Sequence, residues 1–260
     1  MKRGGQTMSG DSILKHPKGA GVFPKVDLIE PDGHGYLLAA AVVDRRLPFT
    51  YFRESADKQH LLLKLKQRVD ALRELPGVRA ATLYKALLIP PGRGRFLKHR
   101  PAAHIARYDV AALVEVESPA VAKTVNATSE WNAVQSDMRA ASKDVYVLAA
   151  SNVKRIGPVD RARDGVFLFN YFFADRLEQN LAVWEYTAGW FEYETDLHNS
   201  TVLLPEPGER KDYTIINHCR WDSLWNILPA LLLKPSFRSY VLAHFEANNT
   251  AAIPILYRLA

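Results

Sequence analysis

The sequence predicts an α+β protein in which two tandem units form one barrel within a single chain. Two observations predict this architecture. The same order of strand, helix, strand, strand, helix and strand occurs twice along the 260 residues, and the strand-like runs are apolar on both faces. We expect a basic, flexible tail over residues 1–35, a first unit over 36–160 and a second over 166–260.

The composition is that of an ordinary globular protein, with 48% hydrophobic and 24% charged residues. The single cysteine, Cys219, allows no internal disulfide, and this favours a reducing, cytoplasmic compartment. No apolar run reaches the roughly 18 residues of a membrane span. We therefore expect no membrane partner.

The positive charge belongs to the first part of the chain. Residues 1–164 hold 27 Lys and Arg against 17 Asp and Glu, whereas residues 165–260 hold 7 against 11. Such asymmetry is typical of a nucleic-acid face or of two halves that attract each other.

The first unit opens with a compact apolar run over 36–43, which is typical of a buried strand. A helical stripe follows, and Pro76-Gly77 ends it. The stripe consists of Leu61, Leu65, Val69 and Leu72. A second strand is predicted over 80–89, where Pro90-Pro91 stops it.

The second unit repeats this beginning. Its first strand covers 166–173, and its helical stripe ends beside Gly189. The stripe consists of Leu177, Leu181, Trp184 and Ala188. The run over 200–204 predicts the second strand, which ends at Pro205.

The third strands give the clearest match between the units. Residues 108–118 align with 213–223 without a gap, and both segments end in an acidic residue followed by serine. Ser118 and Ser223 are therefore predicted N-caps of the next helices. A short helical piece led by an aromatic residue follows in each unit, and the final strands cover 145–150 and 252–257.

This element order defines the ferredoxin-like unit, which has helices on one face of its sheet. Because the strand over 166–173 is apolar on both faces, the second face needs a cover. We expect the two sheets to pack face to face.

The arrangement resembles the dimeric α+β barrel superfamily, and most of all its antibiotic-biosynthesis monooxygenase-like branch. The resemblance rests on Pro76-Gly77-Val78 before the second strand, on the joints at 117–118 and 222–223, and on the aromatic-led helical pieces. It covers residues 36–260 as a tandem fusion. Members include cofactor-free oxygenases, isomerases and haem enzymes, and a pocket between helices and sheet is implied. We expect no cofactor, because the histidine motif of the haem-binding relatives is not found.

One strand of the second unit carries polar residues where its counterpart is apolar. The aligned pairs are Ala112 and Asn217, Leu113 and His218, Val114 and Cys219, Glu115 and Arg220, and Val116 and Trp221. Period-two alternation puts Asn217, Cys219 and Trp221 on one face and His218 and Arg220 on the other. Either face could form a pocket.

We predict His218 and Asn217 as catalytic residues, because an imidazole can act as a base and an amide can hold a substrate oxygen. The predicted substrate-binding residues are Asn170, Trp190, Tyr193, Arg220 and Trp221. The alternative interpretation is that His218 and Asn217 are hydrogen-bonded structural residues and that Cys219 is a small buried hydrophobe.

These residues favour a cofactor-independent monooxygenase- or isomerase-like enzyme that acts on a small aromatic or apolar molecule. The alternative is a non-catalytic small-molecule-binding or structural barrel. No metal site is expected, because the eight histidines show no HxxxH or HExxH spacing. No nucleic-acid partner is expected, because the third strand of the second unit has no stacking pair. The chain is expected to be a monomer or a homodimer.

Overall fold

A computed structural model describes residues 13–19, 21–44, 54–90 and 95–260. The strands in these ranges are β1 (Gly35–Ala41), β2 (Val78–Leu88), β3 (Val110–Val116), β4 (Val145–Gly157), β5 (Val166–Ala174), β6 (Ser200–Pro205), β7 (Ile215–Trp221) and β8 (Thr250–Leu259). The helices are α1 (Ala56–Arg73), α2 (Arg95–Lys98), α3 (Pro119–Asn126), α4 (Ser129–Ala141), α5 (Leu177–Thr195), α6 (Leu224–Leu233) and α7 (Ala243–Ala247). A π-helical turn, Phe237–Leu242, precedes α7.

The eight strands form a closed antiparallel barrel in the order β1-β3-β2-β8-β5-β7-β6-β4. Each unit contributes the same internal order, β4-β1-β3-β2 in the first and β8-β5-β7-β6 in the second. The predicted pair of ferredoxin-like units in one barrel is therefore confirmed.

The inner faces of the two sheets face each other across one core, as predicted, but the sheets are also joined at their edges, which the sequence did not indicate. They join edge to edge, because β2 pairs with β8 and β4 pairs with β6. Closure of this kind leaves no unpaired strand edge, whereas two stacked sheets would leave four. The inner faces of all eight strands consequently share one core.

The barrel has an aromatic lumen and an outer layer of helices. Seven buried tyrosines lie in the lumen core, namely Tyr36, Tyr84, Tyr108, Tyr146, Tyr171, Tyr213 and Tyr257. Phe167 and Phe169 of β5 join them. On the outside, α1, α3 and α4 cover the first unit, while α5 and the segments near α7 cover the second. Burial of both faces explains why the strands are apolar on both sides.

The predicted helix starts are confirmed. Ser118 Oγ accepts a hydrogen bond from Val121 N at 3.3 Å, and Pro119 follows as the first helical residue. Ser223 precedes α6, and its backbone N–H donates to Asn226 Oδ1 at 3.1 Å. These caps fix where each helix leaves the end of the strand before it.

The predicted end of α5 at Gly189 was wrong, because the helix continues to Thr195. Asp196 ends it in the left-handed conformation, with φ of 56°. Gly189 instead lies where another segment approaches closely, because a Cβ at this position would overlap the carbonyl oxygen of Pro24. The glycine thus marks a close contact rather than a helix stop.

The segment before β1 contacts the second unit. Leu14 and Val26 belong to the core around α5, and Ile29 forms a bridge with Arg155 of β4. Residues 1–12 and 20 of the predicted tail lie outside the described residues. Among the helices of the described ranges, none is long and apolar enough to cross a membrane.

Candidate functional site

The polar strand β7 presents its side chains to two different compartments. Asn217, Cys219 and Trp221 point outward to a cavity beneath α5. His218 points into the lumen, where its ring stacks on Phe169 with centroids 4.2 Å apart. The predicted alternation of faces is confirmed.

The cavity lies between α5 and the outer face of β5 and β7. Its volume is about 20 Å³, above the roughly 10–15 Å³ that one water molecule requires. The lining residues are Leu168, Asn170, Phe172, Trp184, Thr187, Ala188, Phe191, Leu197, Ser200, Asn217, Cys219, Trp221 and Phe245. Among these described residues there is no acidic, basic or histidine side chain, so the cavity suits an uncharged ligand.

Two asparagines form the polar centre of the cavity wall. Asn170 of β5 lies directly opposite Asn217 of β7 in the strand register. Asn217 Oδ1 accepts a hydrogen bond from Ser200 Oγ at 2.5 Å, and this leaves the amide N–H groups of Asn217 as donors. Among the described residues, that amide also makes one weak hydrogen bond, from Nδ2 to Cys219 Sγ at 4.0 Å.

Asn170 is the least satisfied polar group of the wall. Its side chain is 8% exposed, and within the described ranges its Oδ1 has no hydrogen-bond partner. A buried amide without a partner is destabilising by about 1–3 kcal/mol. A ligand that donates a hydrogen bond to Asn170 Oδ1 would remove this penalty.

The other polar groups of the wall are held by the protein. Trp221 Nε1 donates to Thr195 Oγ1 at 3.0 Å, so its indole ring is fixed and its N–H is occupied. Burial raises the pKa of the Cys219 thiol, which therefore stays protonated and is a poor nucleophile. Neither group acts as an acid or base at neutral pH.

His218 is enclosed in the lumen and both of its ring nitrogens have partners. Nδ1 lies 3.2 Å from the carbonyl oxygen of Leu168, and Nε2 lies 3.4 Å from Tyr84 Oη. An N–H at Nδ1 donates to the carbonyl, and Nε2 then accepts from the tyrosine hydroxyl. Burial, reinforced by the nearby Arg161 cation, holds the pKa of His218 well below its usual value. The imidazole is therefore neutral.

The structure does not bring the two predicted catalytic residues together. Asn217 lines the cavity, whereas His218 lies on the opposite face of the same strand. Arg220 also lies away from the cavity, where its backbone N–H donates to Asn199 Oδ1 and its guanidinium donates to the carbonyl of Asp164. The group also pairs with Asp222 at 2.8 Å.

Among the predicted binding residues, Asn170 and Trp221 line the cavity, and Trp190 and Tyr193 do not. Trp190 is buried between α5 and the π-helical turn, where its ring lies 5.5 Å from that of Phe237 and its Nε1 donates to Ser236 Oγ at 3.1 Å. Tyr193 is 70% exposed. Sequence reasoning missed Thr187 and Ser200, because a single hydroxyl residue in a helix or at the start of a strand gives no pattern.

The comparisons with known proteins concern the fold. No protein-family model and no curated protein matches the sequence. An anthrone oxidase-like protein is similar at 11% identity and a TM-score of 0.64, over 88% of this chain and 92% of its own. A protein of Fusobacterium nucleatum subsp. nucleatum, provisionally described as a monooxygenase, is similar at 8% identity and a TM-score of 0.51, over 87% and 91%.

A dimeric protein of ferredoxin-like fold and unknown function from Bacteroides fragilis also matches, at 12% identity and a TM-score of 0.32. That match covers 47% of this chain and 99% of the other. The two likenesses that span most of the chain, together with the closed barrel, show that the chain has the dimeric α+β-barrel fold, with both ferredoxin-like units on one chain.

Proposed function

We propose that the chain is a monooxygenase-like enzyme without a bound cofactor, and that it acts on a small aromatic molecule in the cavity beneath α5. The observation that carries the proposal is the opposed pair Asn170 and Asn217, because it places buried amide groups with free hydrogen-bonding capacity in a wall whose hydroxyl groups are bonded within the protein. The likeness to an anthrone oxidase-like protein supports an aromatic ketone as the substrate class.

The proposed roles follow from the chemistry of the lining. Trp184, Phe191 and Trp221 offer aromatic surface for a planar ring. The amide N–H groups of Asn217 donate to a ketone oxygen, and they stabilise it further when it becomes an enolate oxygen. The unpaired Asn170 Oδ1 accepts a hydrogen bond from the hydroxyl group of the enol form. Ser200 positions Asn217 through its hydrogen bond to Oδ1. The enolate form then reacts directly with O₂.

The proton must leave the substrate without a side-chain base in the cavity. Among its described lining residues, Cys219 is the one thiol, and burial keeps it protonated. We therefore expect a substrate acidic enough to lose a proton to water. For an anthrone the reaction balances, because the methylene group becomes a carbonyl while one O₂ is consumed and one water is released.

Binding of a ring requires the cavity to widen. An apolar cavity that accepts benzene measures about 150 Å³, whereas this one measures about 20 Å³. The proposal therefore includes an outward movement of α5 or of side chains on its inner face when substrate enters.

Oxygen uptake with anthrone as the probe tests the proposed activity. We expect uptake above the protein-free rate, with one O₂ consumed for each quinone formed. Asn217→Ala should lower the rate by roughly 10²-fold, as the loss of an oxyanion donor does elsewhere. His218→Leu is the matched control, because the adjacent residue faces the lumen and Leu113 occupies the aligned position; its rate should change little. Uptake at the protein-free rate would contradict the enzyme.

A non-catalytic binding or structural barrel is the second candidate. The small cavity volume and the lack of an acid or base among its described lining residues favour it. A thermal shift with anthrone separates the two, because a ligand that binds only the folded state raises the melting temperature whether or not it reacts. A raised melting temperature without oxygen uptake would identify the binding protein.

We also propose a cytoplasmic monomer or homodimer without a nucleic-acid partner. The lone buried Cys219 supports the location. Phe167, Phe169 and Tyr171, the rings that an RNA-binding strand would expose, are buried in the lumen. Light scattering measures the oligomeric state, and a mobility shift with RNA would contradict the last point.

A further inference from the structure

The segment before β1 crosses the outer surface of the helices that cover the cavity. Residues 13–19 and 21–30 are called the N-terminal strap. The strap contacts α7, then α5, and finally β4, where Ile29 N donates to the carbonyl oxygen of Arg155 at 3.1 Å. The strap therefore crosses the helices that cover the cavity from one side to the other.

The middle of the strap is attached to α5. Val26 N donates to the carbonyl oxygen of Glu185 at 3.3 Å, and the Lys25 ammonium pairs with the Glu185 carboxylate. Pro24 lies against Gly189 so closely that a Cβ there would overlap its carbonyl oxygen. This part of α5 cannot move outward unless the strap moves with it.

An aromatic contact strengthens the same attachment. The Phe23 ring lies 4.8 Å from the ring of Tyr240 and 6.5 Å from the ring of Trp190, between centroids. Tyr240 belongs to the π-helical turn and Trp190 to α5. Phe23 thus connects two elements of the cover through one side chain.

The beginning of the strap is attached to α7 and the residue after it. Lys15 N donates to Asn248 Oδ1 at 2.8 Å, and Asn248 Nδ2 donates to the carbonyl oxygen of Lys15 at 2.8 Å. His16 Nδ1 lies 3.3 Å from His244 Nε2. Leu14 is buried in the same layer.

The attachment points are next to the cavity lining in the sequence. Glu185 follows Trp184, Gly189 follows Ala188, and His244 precedes Phe245; all three of these neighbours line the cavity. We propose that the N-terminal strap controls the opening of this cavity, and that it must detach from α5 before a ligand the size of an aromatic ring can enter. The kind of ligand named here rests on the proposed function, whereas the control of the opening by the strap does not depend on it.

The lone cysteine provides a direct measurement of opening. Cys219 is buried in the cavity wall and is the single thiol of the chain. Its rate of modification by N-ethylmaleimide therefore reports how often the cavity admits a small molecule. No substrate is needed, so the result is independent of the oxygen-uptake test.

Gly189→Ala is the decisive variant in the full chain. Alanine favours a helix more than glycine does, so α5 itself is retained, while the new methyl group displaces Pro24 and the strap. Phe23→Ala removes the aromatic attachment by a second route. Val22→Ala is the matched control, because this neighbouring side chain is 98% exposed. We expect modification at least tenfold faster in the first two variants and unchanged in the third.

Global unfolding is the competing route to Cys219. The unfolding equilibrium constant of each variant, measured in urea and multiplied by the modification rate of the unfolded chain, gives the rate that this route alone would produce. Modification faster than that rate in Gly189→Ala and Phe23→Ala supports control by the strap. A wild-type rate in both variants, or an increase fully accounted for by lower stability, would overturn it.

Discussion

The two units differ most in the layer between sheet and helices. In the first unit, Ala39 of β1 lies opposite Ala112 of β3, and both are fully buried with Leu65 and Trp131. The aligned positions of the second unit hold Asn170 and Asn217, and a cavity lies beside them. The same backbone register therefore supports an apolar core in one unit and a polar pocket in the other. The difference shows that a few side chains, rather than the fold, create the candidate site.

An asparagine placed at the corresponding position of the first unit should have the largest effect on the free energy of unfolding. In the Ala39→Asn variant, the new amide group is buried in an apolar layer without hydrogen-bond partners, and its extra atoms crowd the helices. We expect a loss of about 2–6 kcal/mol in the free energy of unfolding, measured in urea. Ala102→Asn on the exposed surface is the control and should stay within about 0.5 kcal/mol of wild type. A small loss in Ala39→Asn would show that the first unit also has room for an amide.

The next largest expected effect is a pH dependence of stability, which comes from the buried histidines of the second unit. Burial lowers the pKa of His218, and it also lowers that of His244. The folded state therefore takes up protons on these groups at a lower pH than the unfolded state does, in which histidine has its ordinary pKa of about 6.5. Stability should therefore fall as the pH drops below about 6.5, by up to roughly 1.4 kcal/mol per pH unit for each histidine.

Urea unfolding between pH 7 and pH 5 measures this slope. His218→Leu introduces the residue of the aligned first-unit position, Leu113, and should reduce the slope within that window. An unchanged slope in the variant would mean that His218 takes up protons as readily in the folded state as in the unfolded state.

Making the second unit resemble the first should have the smallest effect on stability. Asn170→Ala removes an amide whose oxygen has no partner in the described part of the chain, and it reproduces Ala39. The gain from removing this group offsets the loss from a larger cavity, so we expect a change within about 1 kcal/mol of zero. A loss above about 2 kcal/mol would assign Asn170 to the structural framework instead of the site.

Much of the fold could be predicted because its signals are local. Apolar runs, helical stripes and serine caps recur in the same order, and they place nearly every strand and helix of both units. The alternation along β7 also separated Asn217 from His218 correctly. Local periodicity does not reveal which strand edges pair, so the barrel was predicted but the pairing of β2 with β8 and of β4 with β6 was not.

The site was less predictable because it depends on contacts between distant segments. Trp190 follows the cavity-lining Ala188 by two residues, but the helical rotation turns its ring away from the cavity and toward the π-helical turn. Gly189 resembles a helix stop until the approach of Pro24 is known. Which face of β7 meets a cavity likewise depends on how α5 packs, and no local pattern contains that information.

Anaerobic calorimetric titration with anthrone tests the central claim, that the ligand site is the cavity beneath α5. Wild type should bind one molecule per chain, and the Asn170→Ala, Asn217→Ala double variant should bind at least tenfold more weakly, because two amide partners are lost. The lumen variant His218→Leu should bind as wild type does. Unchanged binding by the double variant, together with lost binding by His218→Leu, would place the ligand in the lumen and contradict the account.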